Sequence, residues 1–395
     1  MTNRKETFRQ SQIIALENQI LNFWTAHTLD DKYGGFVGEV FNDNQKNYSA
    51  DKSCVLNTRI LWTFSAACNF RKQDAYLEMA KRAYQYIIDY FVDDEEGGLF
   101  WLLRPDGTPA ETRKQIYANA FGIYALSEYY KATQHAEALD LAKSLYSMIE
   151  AYSHDLNKGG YLEAFSRNWQ PIEDMRLSDW DLNAAKTFNT HLHILEAYTN
   201  LLDAWQSDEL KATLKSLVEL VMQKFYSPQQ KQFLLFFDED WHSQSRQVSY
   251  GHDIEATWLL CEAAKQVGDT QLINWAGQVA VMVTDAVLDR GTAPDGSLYY
   301  EQNEAGEIYK GRHWWPQSEA IVGLLNTYEI TGHEKYLQSA IRTWDFIQRH
   351  LRMQNGEWFW SVNDDYTPDW GMSKVNPWKG PYHNARGCIE AARRL

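Results

Sequence analysis

A short glycine turn followed by an aromatic, strand-like segment recurs six times along the 395 residues, and this recurrence constrains the fold more than any other feature. The copies are Gly34-Gly35-Phe36, Gly97-Gly98-Leu99-Phe100-Trp101, Gly159-Gly160-Tyr161-Leu162, Lys231-Gln232-Phe233-Leu234, Asp295-Gly296-Ser297-Leu298-Tyr299-Tyr300 and Asn355-Gly356-Glu357-Trp358-Phe359-Trp360. Successive starts are 63, 62, 72, 64 and 60 residues apart, which is room for two helices and a loop.

Between the turns the apolar residues follow helical spacing. Val55, Leu56, Ile60, Leu61 and Phe64 form one stripe, and Leu77, Ala80, Ala83, Tyr84, Ile87 and Ile88 form the next. Two helices per repeat and six repeats predict an all-α (α/α)6 barrel, with six inner helices, six outer helices and short β-ribbons at one end. An open solenoid of tetratricopeptide type is the alternative, but such arrays repeat roughly every 34 residues and carry no aromatic hairpins. With nine Pro and no Ser/Gly/Pro-rich linker, residues 1–395 read as a single catalytic domain.

The chain has 53 acidic and 38 basic residues, a net charge of −15, and no local basic patch. Phosphate backbones and anionic membrane surfaces would repel it, so neither nucleic acid nor membrane is an expected partner. No stretch approaches the roughly 18 uninterrupted apolar residues of a membrane helix. The segment from Met1 to Arg9 is polar, and only Ile13 to Leu16 stands where a signal peptide would place about 7 to 15 apolar residues. Cys54, Cys68, Cys261 and Cys388 are far apart in apolar surroundings and form no CxxC pair, which predicts buried structural thiols. A reducing cytoplasm is the expected location. Many of the 16 Trp sit beside Gly, His or Pro rather than in apolar runs, which predicts rings lining a cleft as well as a core.

Polar residues at odds with apolar helices recur with the repeat: Asn57 and Arg59; Tyr117 and Asn119; Asn189, His191 and His193; His252, Asp253 and Glu255; Arg312, His313, Trp314, Trp315 and Glu319; Tyr382, His383, Asn384 and Arg386. Equivalent positions in six repeats converge on one axis, at the helix N-termini where rigid scaffolds collect function. Imidazole, with an unperturbed pKa near 6.5, can take or give a proton near neutrality, and two facing rings can do both in one cycle. A zinc set of His191, His193, His252 and His383 is the weaker reading, because i and i+2 positions point to different sides of a helix and no HExxH or Cys/His spacing is present. A carboxylate pair drawn from Asp179, Asp181, Asp253, Glu255 and Glu319 would make an inverting glycoside hydrolase, the second hypothesis. No GxSxG elbow, no activated Cys and no Gly-rich phosphate loop appears, so nucleophilic catalysis and nucleotide cofactors lack support.

At these residues the chain resembles the N-acylglucosamine 2-epimerase superfamily, and most its cellobiose 2-epimerase branch. The likeness is carried by VLNTRILWTFS (Val55 to Ser65), FNTHLHILEAYT (Phe188 to Thr199), SYGHDIEATWLL (Ser249 to Leu260), RHWWPQSEAIVG (Arg312 to Gly323) and PWKGPYHNAR (Pro377 to Arg386). The resemblance implies an (α/α)6 barrel and cofactor-free epimerisation at C2 of a reducing aldose, either a β-1,4 disaccharide or free mannose and glucose. It implies that His252 and His383 are the two proton-transfer residues, and that His193 and Arg59 hold the oxygens around C1 and C2. Tyr117, Asp181, Asn189 and Glu255 match polar binding or supporting positions, Glu319 is grouped with them, and Trp315 and Trp378 match rings that pack on sugar. Glu255 has a second reading, orienting His252 one turn away, and Trp314 is expected in the core. Gly380 departs from the bulkier residue expected there in the disaccharide enzymes.

Inverting C2 requires a proton to leave one face of the open-chain sugar and another to return to the opposite face, and two opposed histidines can serve both. Arg59 and His193 would stabilise the enediolate between the two steps. An aldose–ketose isomerase, which returns the proton to C1, is the nearest rival, and a non-catalytic glycan-binding or protein-interaction module is a more distant one. The expected partner is a small neutral carbohydrate, with the protein a monomer or homodimer.

Overall fold

The computed structural model describes residues 2–395. Helix α1 (Thr2–Ala15) continues through a wide π-type turn, Leu16–Leu21, into α2 (Asn22–His27). Then follow α3 (Cys54–Arg71), α4 (Asp74–Tyr86), α5 (Ile116–Thr133), α6 (Ala136–Met148), α7 (Phe188–Ala204), α8 (Asp208–Leu220), α9 (Tyr250–Val267), α10 (Thr270–Arg290), α11 (Trp314–Thr331), α12 (Glu334–Phe346) and α13 (Tyr382–Arg394). Helices α3, α5, α7, α9, α11 and α13 form the inner ring of an (α/α)6 barrel, each packed on the next. The ring closes where α13 meets both α11 and α3.

Burial separates the two rings. Every residue of α3 from Cys54 to Cys68 is buried, as is every residue of α5 from Ile116 to Tyr129, because an inner helix has neighbours on all sides. The outer α4 buries only part of its surface, Tyr76, Met79, Ala80, Ala83, Tyr84 and Tyr86, largely at the i, i+3, i+4 spacing of an amphipathic helix. The reading of six chain-contiguous hairpins needs one refinement. Five pairs are contiguous, but the sixth joins the two ends of the chain: α1 packs on α13, and Arg9 Nε donates to the Ala392 carbonyl at 3.0 Å.

All six turns lie where the sequence places them, closing antiparallel contacts such as Leu29 with Phe36, Val92 with Leu99 and Arg352 with Trp358. At the fourth, Lys231 takes the left-handed φ of +54° that glycine takes elsewhere. Strands leading into the inner helices pair with the next repeat's ribbon, for example Lys52–Ser53 with Leu102–Leu103 and Lys186–Thr187 with Phe236–Phe237. The ribbons therefore lie at the N-terminal end of the inner helices and tie neighbouring repeats together.

A side-chain clamp locks four of the six ribbons to an inner helix. Near the start of an inner helix a polar side chain accepts a ribbon N–H: Asn119 from Leu99 at 3.0 Å, His191 from Tyr161 at 2.9 Å, Asp253 from Phe233 at 2.7 Å and Gln317 from Leu298 at 2.8 Å. Beneath three of the ribbons a buried Lys meets a buried or nearly buried Asp: Lys52 with Asp30, Lys114 with Asp93 and Lys186 with Asp155, at 2.7 to 2.8 Å. Glycine is required where the ribbon passes closest. A Cβ on Gly160, at φ +80°, would stand 2.6 Å from the Trp241 ring and 2.9 Å from His191 Nε2. All four cysteines are buried and free. Among the described residues no helix is long and apolar enough to cross a membrane.

Candidate active site

The first two turns of the inner helices surround a cavity of about 280 Å³ at the ribbon end of the barrel. Its wall includes Arg59 from α3, Tyr117 from α5, Asn189 and His193 from α7, His252 and Glu255 from α9, Trp315 from α11 and His383 from α13. Trp378, from the segment before α13, and Asp181, from the segment before α7, complete the set of expected residues in the wall. Glu319, grouped with the substrate-binding residues in the sequence, does not line this cavity. It is fully buried and sits behind His383 rather than in the wall.

Three imidazoles share one arrangement. His193 Nδ1 is 2.9 Å from Glu196 Oε2, His252 Nδ1 is 2.8 Å from Ser249 Oγ, and His383 Nδ1 is 2.7 Å from Glu319 Oε1. Each ring is thereby fixed at Nδ1, leaving Nε2 as the nitrogen available in the cavity. The partners differ in kind. Glu319 draws the Nδ1 proton of His383 and leaves Nε2 a bare lone pair. Ser249 Oγ also accepts the backbone N–H of His252, and with a second lone pair and a proton of its own the hydroxyl can hold Nδ1 in either protonation state of the ring. Burial lowers the pKa of His252 to about 3 and lowers His193, and for His383 burial together with the Arg59 and Arg386 charges lowers it well below the ordinary value. Burial thus favours the uncharged form of all three rings.

Trp315 stands beside both outer rings, 4.8 Å from His252 and 5.5 Å from His383 between centroids. Trp378 packs edge-on to Tyr117 and Trp101. Arg59 donates to the Tyr117 hydroxyl at 2.8 Å and to the Trp378 carbonyl at 2.7 Å, and its guanidinium lies over the Phe121 ring. Gly380 explains that approach: a Cβ there would lie 3.3 Å from Leu56 Cδ1 and 3.4 Å from Arg59 Cβ, so this glycine faces α3. Trp314 is buried against Trp360 at 4.4 Å, as its core reading requires, yet it also borders the cavity.

Beneath the cavity floor one cation serves three carboxylates. Arg386 hydrogen-bonds Glu196, Glu255 and Glu319, the last at 2.7 Å, and the Tyr382 hydroxyl donates to Glu196 at 2.6 Å. Burial opposes ionisation of Glu196, but Arg386 and the His193 contact outweigh it and hold the carboxyl at about 2. For Glu255 and Glu319 burial prevails and the pKa is raised. Glu255 thus bonds Arg386 rather than His252, and the orienting role falls to Ser249. Glu255, Glu319 and His383 bring potential metal-ligand atoms within 4.8 Å of one another, but the Arg386 guanidinium bonds both carboxylates.

Within the polar segments the structure separates two sets that sequence reading merged. His191 uses both nitrogens structurally, donating from Nδ1 to the Thr187 carbonyl at 2.7 Å and accepting at Nε2 from the ribbon. Asn119 and Asp253 are clamps of the same kind, while Asn384 donates to Glu357. Residues missed include Glu196, Ser249, Tyr300, Trp180 and Met372. The signal for the first two was present, since each lies three residues along a helix or its cap from the histidine it holds.

Glu163, buried beside the cavity, accepts the Thr187 N–H at 2.7 Å and the Thr190 hydroxyl. Burial outweighs these bonds and raises its pKa from 4.5 to about 8. A carboxyl whose folded pKa is raised binds its proton more tightly in the native state than in the unfolded chain. Its contribution to stability is therefore complete below about 4.5 and declines as pH rises towards about 8. Denaturant midpoints measured across that window should fall less steeply in Glu163→Gln than in the parent, and parallel curves would refute this assignment.

Residues 34–386 match the sequence profile of the N-acylglucosamine 2-epimerase (GlcNAc 2-epimerase) family. The chain is 44% identical over 387 residues to a cellobiose 2-epimerase of Bacteroides fragilis, covering 98% of each chain. It superposes on the cellobiose 2-epimerase structure of Bacillus thermoamylovorans with a TM-score of 0.94 at 41% identity, covering 99% of this chain and 100% of that one. A D-mannose isomerase of Marinomonas mediterranea is more distant, at 23% identity with 93% of each chain covered.

Proposed function

The chain belongs to the N-acylglucosamine 2-epimerase family and is a sugar 2-epimerase, and from that premise we propose that it inverts C2 at the reducing end of a β-1,4-linked disaccharide of the cellobiose type. The observation that carries the reading is the trio of anchored imidazoles, with Nε2 of His252 and His383 available in one cavity beside Trp315.

Ring opening exposes the C1 carbonyl and makes the C2 proton removable. His383, with a bare Nε2, takes that proton, and Glu319 supports the imidazolium that forms. Arg59 and His193 hold the negative oxygens of the enediolate, as donors preorganised in a site with little water. His252, protonated on both nitrogens when the step begins, gives its Nε2 proton to the opposite face of C2 and is left neutral; in the reverse direction neutral His252 takes the C2 proton and the imidazolium of His383 gives one back. A neutral imidazole is the competent base, and burial favours that form. The whole ring acts as one catalytic unit, since six helices contribute to one site.

Hydrolysis fits poorly. An inverting pair stands roughly 6.5 to 9.5 Å apart around a bound water, whereas Glu255 and Glu319 come within 4.8 Å and bond the same guanidinium. Asp253 is committed to the Phe233 N–H. Incubation with cellobiose, and separately with mannose, should give glucosyl-mannose from the first as the faster reaction by chromatography. Fructose from mannose as the dominant product would favour the isomerase reading, and glucose released from cellobiose would favour hydrolysis.

A further inference from the structure

We propose that the hollow between Trp370 and Phe41, at the rim of the cavity, is a subsite for the third and later units of a β-1,4-linked oligosaccharide whose reducing end occupies the catalytic site. The inference rests on the epimerase reading for the direction in which the sugar chain leaves.

The hollow is open, about 500 Å³, and Glu39, Phe41, Asn42, Asp43, Trp370 and Ser373 line it. Trp370 is 63% exposed and Phe41 43% exposed, so two large aromatic side chains face solvent in one depression. Clustered exposed rings mark binding surfaces rather than ordinary solvated ones. The platform is built in advance. Phe359 meets the Trp370 ring edge-on at 5.0 Å and 80°. Asn42 Nδ2 donates to the Met372 carbonyl at 3.0 Å, and Asp369 accepts the Gly371 N–H at 2.9 Å. A ring held this way needs little ordering when a ligand arrives.

Position connects the platform to the chemistry. Met372 lines the catalytic cavity, and two residues of chain hold Trp370 within about 7 Å of it, Cα to Cα. Trp360, next to Phe359 in the chain, lines the cavity as well. Chemistry selects the ligand class. A pyranose offers a C–H face to Trp370 and hydroxyl edges to Asp43 and Glu39, while the same carboxylates repel an anionic ligand.

The test compares cellobiose with cellotetraose in the parent, Trp370→Ala and Trp370→Phe. Trp370→Ala should raise KM for cellotetraose by about three- to tenfold, as expected from loss of one ring contact, with kcat and KM for cellobiose unchanged. Trp370→Phe should recover part of the loss. Unchanged KM for cellotetraose, or an equal rise for both sugars, would overturn the subsite. Calorimetric binding of cellotetraose, which needs no turnover, tests the platform separately: weaker binding in Trp370→Ala supports it and equal binding overturns it. A parent enzyme that leaves cellobiose unconverted refutes the functional reading instead.

Discussion

Replacing His383 or His252 by alanine should lower the epimerisation rate by about 10²- to 10⁴-fold each, the range for loss of a positioned general acid or base. The loss should fall on kcat, because Trp315, Trp378, Asn189 and Arg59 still line the cavity. The two substitutions act on one sequence of proton transfers, so the double variant should be far less impaired than the product of the single effects. Solvent exchange separates the faces. His252→Ala should still let His383 remove the C2 proton, so slow exchange without inversion survives in that variant. Either variant retaining most of its epimerase activity would contradict the assignment. Steady-state rates with cellobiose, alongside denaturant midpoints to verify folding, make the measurement.

Arg386→Leu should cost about 3 to 5 kcal/mol of stability, the range for removing one partner from a buried ionic cluster. Arg386 is fully buried and bonds Glu196, Glu255 and Glu319, so leucine leaves three buried carboxyls without their cation. They must then take up protons to remain inside. The folded pKa of Glu196 would rise above the unfolded value of 4.5 and those of Glu255 and Glu319, already raised, would rise further, so the variant should lose further stability as pH rises above about 4.5. The parent behaves oppositely at Glu196. Its carboxyl, held at about 2, contributes stability that is complete above 4.5 and declines as pH falls towards 2. Arg386→Lys keeps the charge without the planar fork and should fall between the two. Adding Glu196→Gln and Glu255→Gln to Arg386→Leu should restore part of the loss. Denaturant unfolding of this series checks the argument, and an Arg386→Leu midpoint equal to the parent's would refute it.

The ring of helices was legible because tight turns demand glycine and ribbons favour aromatic residues, so each repeat leaves a composition mark that spacing reveals. The pairing of α1 with α13 was not, since nothing local in Arg9 or Ala392 says that the two chain ends meet. The site was legible as a set of helix beginnings, and His193, His252 and His383 do share one cavity. Spacing alone could not separate His191 from His193, which only the family resemblance told apart, because the choice depends on which face of α7 meets the Tyr161 ribbon. Buried pairs such as Lys52 with Asp30 look like ordinary surface charges until the fold brings them together. Glu319 carried the right chemistry for a sugar ligand, and only the packing of α11 on α13 turns it towards His383 instead.

The central claim is that a proton leaves C2 on one face and another returns on the opposite face, and epimerisation of cellobiose in D2O tests it most directly. The account predicts one solvent deuterium at C2 of the glucosyl-mannose formed, no label at C1 and no accumulating ketose, read by NMR and mass spectrometry. An epimer that carries no deuterium at C2, or a ketose formed faster than the epimer, would contradict it.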